Sequence, residues 1–107
     1  FLADESCQSR AELDLCARHF DGINIKLDKT GGLTEGLRPR DAAARLGFGL
    51  MVGCMVGSSL AMAPAVLLAQ TAQETDLDGP LLLREDRAHP LRYDAQGVHP
   101  SDPQLWG

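Results

Sequence analysis

Hydrophobic and polar positions in this chain switch between two periods, and the switches divide its first third into strands and a helix. Residues 23–28 alternate between apolar and polar side chains, which predicts a strand. Apolar residues at helical spacing predict a helix over residues 9–20, with Ser9 as its N-cap and Glu12 completing a capping box. The apolar start at residues 1–3 indicates a strand before this helix.

The same alternation of strands and helices continues along the chain. Gly31 and Gly32 predict a turn into a helix that ends at Gly47, and Pro39 either kinks this helix or marks its effective start. The remaining predicted elements are a strand over residues 48–53, a helix over 58–70 with Ser58 or Ser59 as N-cap, a short strand over 74–78, and a hairpin over 92–98.

Strands that alternate with helices predict a parallel sheet with right-handed crossovers, hence an α/β fold. Four strands and three helices amount to half of an eight-stranded barrel or to a small open sheet. The apolar residues of the third strand indicate that other elements cover both of its faces. A half barrel alone would leave sheet edges with unpaired backbone groups, which is costly in water. We therefore expect the chain to be a fragment of a longer enzyme. Residues 79–107, rich in Pro, Asp and Arg, form an irregular tail.

One long apolar segment raises the alternative of a membrane span. Residues 46–73 carry no charged side chain and are long enough to cross a bilayer. Glycines and Pro64 interrupt the segment, however, and no aromatic or basic belt flanks both of its ends. A buried strand followed by a buried helix explains the segment better, so we expect no membrane partner.

Charge and cysteine content narrow the class of protein further. The net charge of −5 comes from scattered acids, and the ten Lys and Arg residues form no basic cluster, so nucleic acid is not expected as a partner. Cys7, Cys16 and Cys54 are an odd number without a CxxC pair, which argues against a disulfide framework and a zinc site. Reduced, buried thiols in a cytoplasmic protein are the expectation.

Candidate chemistry gathers where the predicted strands end, because parallel α/β folds carry their sites at that edge. The candidates are Asp4 and Glu5 after the first strand, Lys26 and Asp28 on the second, and Asp76 and Asp78 on the fourth. A lysine inside an apolar strand is either a base whose pKa is lowered by its surroundings or a rim residue paired with a nearby acid, Asp4 or Asp28.

Two of these candidates also fit other families on short matches. The stretch DKTGGLT is close to the phosphorylation loop of P-type ion pumps, but Gly32 replaces a threonine and no second acidic loop follows, so Asp28 is a weak candidate. The Asp76-x-Asp78 pair also suits a divalent metal in nucleotide-sugar enzymes, or marks a strand end only. The histidines lack metal-ligand spacing and are expected at the surface or in the tail: His19, His89 and His99.

Taken in order, four stretches resemble the enolase superfamily: LADES at 2–6, INIKLDKTGGLTE at 23–35, MVGCMVGSSLAMAPA at 51–65 and DLDGPLLL at 76–83. Within it they are most similar to the muconate-lactonizing subgroup and its L-Ala-D/L-Glu dipeptide epimerases. The resemblance implies that residues 1–78 are the C-terminal half of a (β/α)8 TIM barrel, strands five to eight, and that residues 79–107 are a tail returning toward a capping domain. It further implies a Mg²⁺-dependent isomerase that moves a proton at one carbon through an enediolate.

The resemblance also assigns roles to individual residues. Asp4 is implied as a magnesium ligand with Glu5 supporting it, and Lys26 as a catalytic lysine. The resemblance implies that Asp76 and Asp78 hold the ammonium group of a dipeptide. It also implies that Cys54 and Met55 line the substrate pocket.

The family's second lysine, two further metal ligands and its capping domain have no counterpart in these residues. We therefore expect the chain alone to be inactive and the activity to belong to a parent protein, whose homo-oligomeric state stays open. The alternatives are an N-succinylamino acid racemase or o-succinylbenzoate synthase, which share the base and ligand but not the acid pair, and a non-catalytic α/β domain.

Overall fold

Four short strands lie side by side in chain order and run parallel, as the alternating pattern predicts. The computed structural model describes all of residues 1–107. In chain order the elements are β1 (Leu2–Ala3), a 3₁₀ turn (Arg10–Glu12), α1 (Leu13–Cys16), β2 (Gly22–Lys26), α2 (Leu27–Thr30), α3 (Leu33–Leu46), β3 (Gly49–Gly53), α4 (Ser59–Leu68), a 3₁₀ turn (Ala69–Thr71), β4 (Glu74–Thr75), a 3₁₀ turn (Gly79–Leu82), β5 (Tyr93–Asp94) and β6 (Gly97–Val98).

The longest pairing in the sheet is between β2 and β3, which join over five residues from Gly22 opposite Gly49 to Lys26 opposite Gly53. A Cβ atom at Gly22 would lie 2.5 Å from the carbonyl oxygen of Gly49. The two backbones can therefore approach this closely only because Gly22 has no side chain.

The core lies between the sheet and helices α3 and α4, and α3 contacts β2, β3 and α4. Its largest fully buried side chains include Leu13, Ile23, Val52, Met62 and Leu68. The burial of apolar side chains from strands and helices alike supplies the main stabilisation of such a layered fold.

Three predicted strand features are corrected by the structure. The second strand ends at Lys26 and not at residue 28, because residues 27–30 form a helical turn that closes at Gly31 with a positive φ of 86°. The fourth strand ends at Thr75, so Asp76 and Asp78 lie in the following loop and not on a strand face. The third strand is not covered on both faces in this chain, because Gly49 and Met51 are only partly buried.

Two predicted helices differ as well. The first is shorter than residues 9–20 and spans residues 10–16, yet its capping contact is present: the N–H of Ser9 donates to Oε2 of Glu12 at 3.1 Å. Helix α3 begins at Leu33 and passes through buried Pro39, so an effective start at this proline is wrong. The predicted end at Gly47 is confirmed, with the glycine at a φ of 66°.

Residues 79–107 contain the predicted hairpin as the antiparallel pair β5 and β6, and their first turn contacts α4. Leu91 of this tail is buried in the core. All three cysteines are free thiols, but Cys54 is only partly buried, contrary to expectation. None of the helices combines the length and the apolar character that crossing a membrane requires.

Candidate functional site

The candidate residues meet at one edge of the sheet, where the four parallel strands reach their carboxyl ends. Asp4 follows β1, Lys26 closes β2, Cys54 follows β3 and Asp76 follows β4. Neighbouring strands thus place these side chains next to each other in two groups. One group surrounds Asp4, and the other surrounds the pair Asp76 and Asp78.

The first group, called here the Asp4 cluster, consists of Asp4, Glu5, Asn24, Lys26 and Lys29. Nζ of Lys26 lies 2.9 Å from Oδ2 of Asp4, and Nζ of Lys29 lies 3.0 Å from Oδ1. The side-chain amide of Asn24 donates to Oδ2 of Asp4 at 3.2 Å. Each oxygen of the carboxylate is therefore held by an ammonium group.

Charge in this cluster keeps Asp4 ionised. Burial acts to raise the pKa of Asp4, but hydrogen bonds and charges from Lys26 and Lys29 outweigh burial and hold the pKa below its ordinary value. Of the two pairings open for Lys26, the structure has the one with Asp4, while Asp28 lies elsewhere.

Lys29 is a member of the cluster that the sequence patterns did not single out. Its ammonium contacts Glu5 as well as Asp4, and the hydrogen bond to Glu5 is the largest cause that raises the pKa of Lys29. The early end of β2 explains its position, because the helical turn after Lys26 brings a side chain three residues further on back to the strand edge. The ammonium of Lys29 thus links the carboxylates of Glu5 and Asp4.

Asn24 is buried beneath the cluster and packs over the bare backbone of Gly53 on the next strand. A Cβ atom at Gly53 would lie 2.8 Å from Oδ1 of Asn24. This Oδ1 atom is buried without a hydrogen-bond partner, while the amide nitrogen is used on Asp4. Gly53 is thus required for the amide to reach the Asp4 carboxylate.

The donor chemistry of the cluster fits a hard divalent cation such as Mg²⁺. Asp4 offers an ionised carboxylate whose side chain remains 35% exposed, and Mg²⁺ prefers carboxylate oxygens over nitrogen or sulfur. One carboxylate is not a complete magnesium site. The other ligands have to come from outside the Asp4 cluster.

The second group, called here the acid pair, consists of Asp76 and Asp78, with Cys54 beside them. The carboxylate oxygens and Sγ of Cys54 lie within 4.8 Å of one another. A hydrogen bond with Asp76 is the largest cause that raises the pKa of Asp78, and the charge of Asp76 adds to it. The pKa of the Cys54 thiol is raised above its ordinary value. Burial is the largest cause, and the charges of the two acids add to it.

A cavity of about 270 Å³ adjoins the acid pair. All four residues predicted to contact a substrate line it, namely Cys54, Met55, Asp76 and Asp78. The two acids are exposed, so their charges face the space where a ligand would lie. The acids come together as predicted, although through a loop and not through a strand.

The loop between β3 and α4 closes directly onto the residue after the acid pair. A Cβ atom at Gly79 would lie 2.7 Å from the carbonyl oxygen of Met55 and 3.5 Å from Sγ of Cys54. The N–H of Met55 donates to Oδ2 of Asp28 at 3.4 Å. Asp28 therefore supports this loop, which is the structural role that remains for it.

The tail contributes three hydrogen bonds near the site that no sequence pattern indicated. The carboxylate of Asp86 accepts the N–H of Ser59 at 2.9 Å at the start of α4, and the hydroxyl of Ser59 accepts the N–H of Leu91 at 2.9 Å. The hydroxyl of Tyr93 donates to the carbonyl oxygen of Leu77, between the two acids, at 2.5 Å.

Known proteins match this chain over nearly its whole length. The family model described as enolase C-terminal domain-like matches residues 1–103. An N-acetyl-D-glutamate racemase from Pseudoalteromonas sp is 50% identical over 105 residues, which are 98% of this chain and 33% of that protein. The L-Ala-D/L-Glu epimerase of Escherichia coli is 42% identical over 97 residues, 91% of this chain and 30% of that protein.

A solved structure of the same family superposes on this chain. An enolase family member from Agrobacterium tumefaciens with homology to dipeptide epimerases, crystallised with sodium and L-Ala-L-Glu, superposes with a TM-score of 0.95. It is 57% identical, and the alignment covers 99% of this chain and 32% of that one. The chain thus spans about a third of the length of the proteins it matches.

Proposed function

This chain belongs to the enolase C-terminal domain-like family, and we propose that it supplies a catalytic lysine, a metal ligand and the ammonium site of a dipeptide epimerase. The observation that carries the proposal is the meeting of the Asp4–Lys26 contact and the acid pair at one sheet edge. The relatives named as epimerases support an enzyme over a non-catalytic α/β domain.

Lys26 is the proposed proton-transfer residue. Its side chain is only 15% exposed and its Nζ is held at Oδ2 of Asp4, so the proton-carrying atom has a defined position at the rim. A divalent cation, when bound through Asp4, would supply positive charge beside the substrate's carboxylate. Inversion at the α-carbon needs one base on each face, and the base opposite Lys26 has to come from outside these residues.

The acid pair is the proposed site for the ammonium group of the dipeptide. Two carboxylates within contact of each other present concentrated negative charge, and hydrogen bonds between an ammonium and a carboxylate are stronger than neutral ones. No ion pair of this chain joins Asp76 or Asp78 to a lysine, arginine or histidine. A bound ammonium would relieve the repulsion between the two acids. Cys54 and Met55 would form the wall beside that group.

A second candidate is the racemisation of N-acetylglutamate, because a relative with this activity in its name is 50% identical over nearly the whole chain. The two candidate substrates share a glutamate whose α-carbon is inverted. They differ at the nitrogen end, where the acetyl group carries no charge. The acid pair favours the dipeptide, because an uncharged acyl group makes no use of two adjacent carboxylates.

The test uses a full-length protein that carries these residues and follows deuterium incorporation at the α-carbon in D₂O by NMR. The substrates are L-Ala-L-Glu, N-acetyl-L-glutamate and an N-succinylamino acid. Replacing the acid pair by Asp76→Asn and Asp78→Asn should raise KM for the dipeptide by about 10- to 100-fold, because a hydrogen bond to a charged group contributes about 1.5–3 kcal/mol.

The control variant is Asp14→Asn, which removes one carboxylate charge from an exposed position on α1. It should leave KM for every substrate unchanged. Faster turnover of N-acetyl-L-glutamate than of the dipeptide would favour the second candidate. Turnover of the N-succinyl compound alone would identify an N-succinylamino acid racemase. If KM for the dipeptide is unchanged in the double variant, the two carboxylates do not bind the ammonium group.

A further inference from the structure

We infer that Tyr93 in the tail is a positioning residue that fixes the backbone between Asp76 and Asp78, and thereby sets how well the acid pair binds an ammonium group. This inference rests on the proposed function, since it names a residue that controls the substrate preference of the same site. Nothing in the family resemblance assigns a role to this tyrosine.

The backbone of the acid pair has little support from the sheet. Strand β4 ends at Thr75, and the last hydrogen bond to β3 is the one from the N–H of Asp76 to the carbonyl of Val52 at 2.9 Å. From Asp78 onward the chain turns away, where the N–H of Leu81 donates to the carbonyl of Asp78 at 2.9 Å. Leu77 lies between these two points, and its carbonyl accepts the hydrogen bond from the Tyr93 hydroxyl.

This segment needs such a support because its two carboxylates repel each other. Like charges close together favour any movement that separates them. The carboxylate oxygens of the two acids lie within 4.8 Å of each other, and the charge of Asp76, after the hydrogen bond between the two side chains, raises the pKa of Asp78. The buried side chain of Leu77, 3% exposed, anchors the segment from the core side. The hydrogen bond from Tyr93 anchors its carbonyl from the tail side, so that the segment is held at its middle from two directions.

Tyr93 itself is held in place by buried contacts of the tail. Two residues earlier, the N–H of Leu91 donates to the hydroxyl of Ser59, whose side chain is fully buried at the start of α4. The carboxylate of Asp86 binds the N–H and hydroxyl of the same serine. The pairing of Tyr93 with Val98 in the hairpin limits its backbone on the other side.

The hydroxyl of Tyr93 is a permanent donor. Burial, with smaller contributions from the charges of Cys54, Asp86 and Asp78, raises the pKa of Tyr93 to about 12. The phenol therefore keeps its proton at neutral pH. The carbonyl of Leu77 thus keeps its partner throughout the pH range in which an ammonium group could bind.

The test replaces the tyrosine by Tyr93→Phe in a full-length protein carrying this chain, because this change removes the hydroxyl and keeps the ring. We expect KM for L-Ala-L-Glu to rise about fivefold, the equivalent of about 1 kcal/mol for one hydrogen bond, with kcat within twofold. KM for N-acetyl-L-glutamate should not change. Hydrogen–deuterium exchange at the amides of residues 77–79 should become faster.

The matched control is Asp94→Asn in the same hairpin, which weakens the exposed contacts of Asp94 with Arg92 and His99 and leaves the Tyr93 hydroxyl intact. It should change neither the dipeptide KM nor exchange at residues 77–79. A loss of affinity in this control equal to that of Tyr93→Phe would mean that the hairpin as a whole is responsible, which would overturn the role of the hydroxyl.

The remaining outcomes separate this inference from the proposed function. If the double replacement of the acid pair raises the dipeptide KM and Tyr93→Phe does not, the inference alone is wrong. If Tyr93→Phe raises KM equally for the dipeptide and N-acetyl-L-glutamate, the tyrosine has a general structural role and the inference is again wrong. If the dipeptide KM does not respond to the acid pair at all, the proposed function and this inference fall together.

Discussion

Nζ of Lys26 lies 2.9 Å from Oδ2 of Asp4, so the residue proposed to move a proton and the residue proposed to hold a metal ion are in direct contact across two parallel strands. Lys29 binds the other oxygen of the same carboxylate. Asp4 therefore keeps one ammonium partner when Lys26 turns toward a substrate. Under the proposed function the two lysines of this chain would have different tasks, although only three positions separate them.

We expect Lys26→Ala in a full-length protein to slow inversion of the dipeptide at least 100-fold, because general acid–base catalysis contributes about 10²- to 10⁴-fold. Exchange of the α-proton with D₂O should persist for the isomer whose proton faces the other base. NMR of both isomers measures this difference. Lys29→Gln is the comparison, and it should leave exchange of both isomers detectable.

An unchanged inversion rate in Lys26→Ala would rule out Lys26 as a proton-transfer residue. Loss of exchange for both isomers would also contradict the prediction, because it would mean that Lys26 serves more than one face of the α-carbon.

A second prediction concerns the protonation of the acid pair. A carboxyl ¹³C NMR titration should give Asp78 a pKa above its ordinary value of 3.8, and Asp76→Asn should lower it toward that value. Protonation of Asp78 removes negative charge from the ammonium site. KM for the dipeptide should therefore rise as the pH falls through the raised pKa of Asp78, while KM for N-acetyl-L-glutamate should not follow it. Titration of Asp78 at or below 3.8 would contradict the geometry of the pair.

The sequence predicted the parallel sheet and the position of Lys26, because the alternation of period two is unbroken up to that residue. The prediction was wrong directly after Lys26. Leu27 and Asp28 continue the alternation of apolar and polar residues, although the backbone has already entered a helical turn there. The convergence of Asp76 and Asp78 was expected from a shared strand face. They meet in a loop instead, because β4 ends at Thr75 and Gly79 packs against the β3–α4 loop.

The contacts that the sequence could not predict join residues that are far apart along the chain. Lys29 meets Asp4 across 25 positions, Asp86 meets Ser59 across 27, and Tyr93 meets Leu77 across 16. Local periodicity carries information about neighbours within a helix or strand. It carries none about where the tail docks, which depends on the packing of the finished fold.

The anchoring of the tail gives a third prediction. Asp86 caps the start of α4 from 27 residues away, and replacing a capping carboxylate by alanine costs about 0.5–2 kcal/mol. We expect Asp86→Ala to lower the free energy of unfolding of a full-length protein by that amount at neutral pH, measured by denaturant unfolding. Glu85→Ala is the control, because Glu85 is the exposed neighbouring acid. An equal loss in both variants would contradict a specific capping role.

The effect of Asp86→Ala should depend on pH with a defined sign. Burial acts to raise the pKa of Asp86, but hydrogen bonds from Ser59 and the N–H of Arg87 outweigh burial and lower the pKa below 3.8. A group whose native pKa is lowered stabilises the fold fully above its ordinary pKa, and this contribution is lost as the pH falls through the native pKa. The difference between wild type and variant should therefore shrink below about pH 4. A difference that grows on acidification would contradict this assignment.

The last prediction concerns the position of the loop that carries Cys54. An added Cβ atom at Gly79 meets the carbonyl oxygen of Met55 at 2.7 Å, and this backbone atom cannot rotate away. At Gly57, in the same loop, an added Cβ atom meets the flexible end of Met62 at 3.3 Å and lies in ordinary contact with the Cβ atom of Ala61 at 3.5 Å, and no backbone atom is closer. Overpacking typically costs about 1–3 kcal/mol, so Gly79→Ala should lower the free energy of unfolding by this amount.

Gly79→Ala should also push the loop away from the acid pair and raise KM for L-Ala-L-Glu, whereas Gly57→Ala should stay within about 0.5 kcal/mol of wild type in stability and keep its KM. The two variants add the same methyl group at two neighbouring glycines, so a difference between them reports on geometry and not on side-chain chemistry. If Gly79→Ala keeps both the stability and the dipeptide KM of wild type, close packing of the β3–α4 loop on residue 79 does not set the shape of the ammonium site.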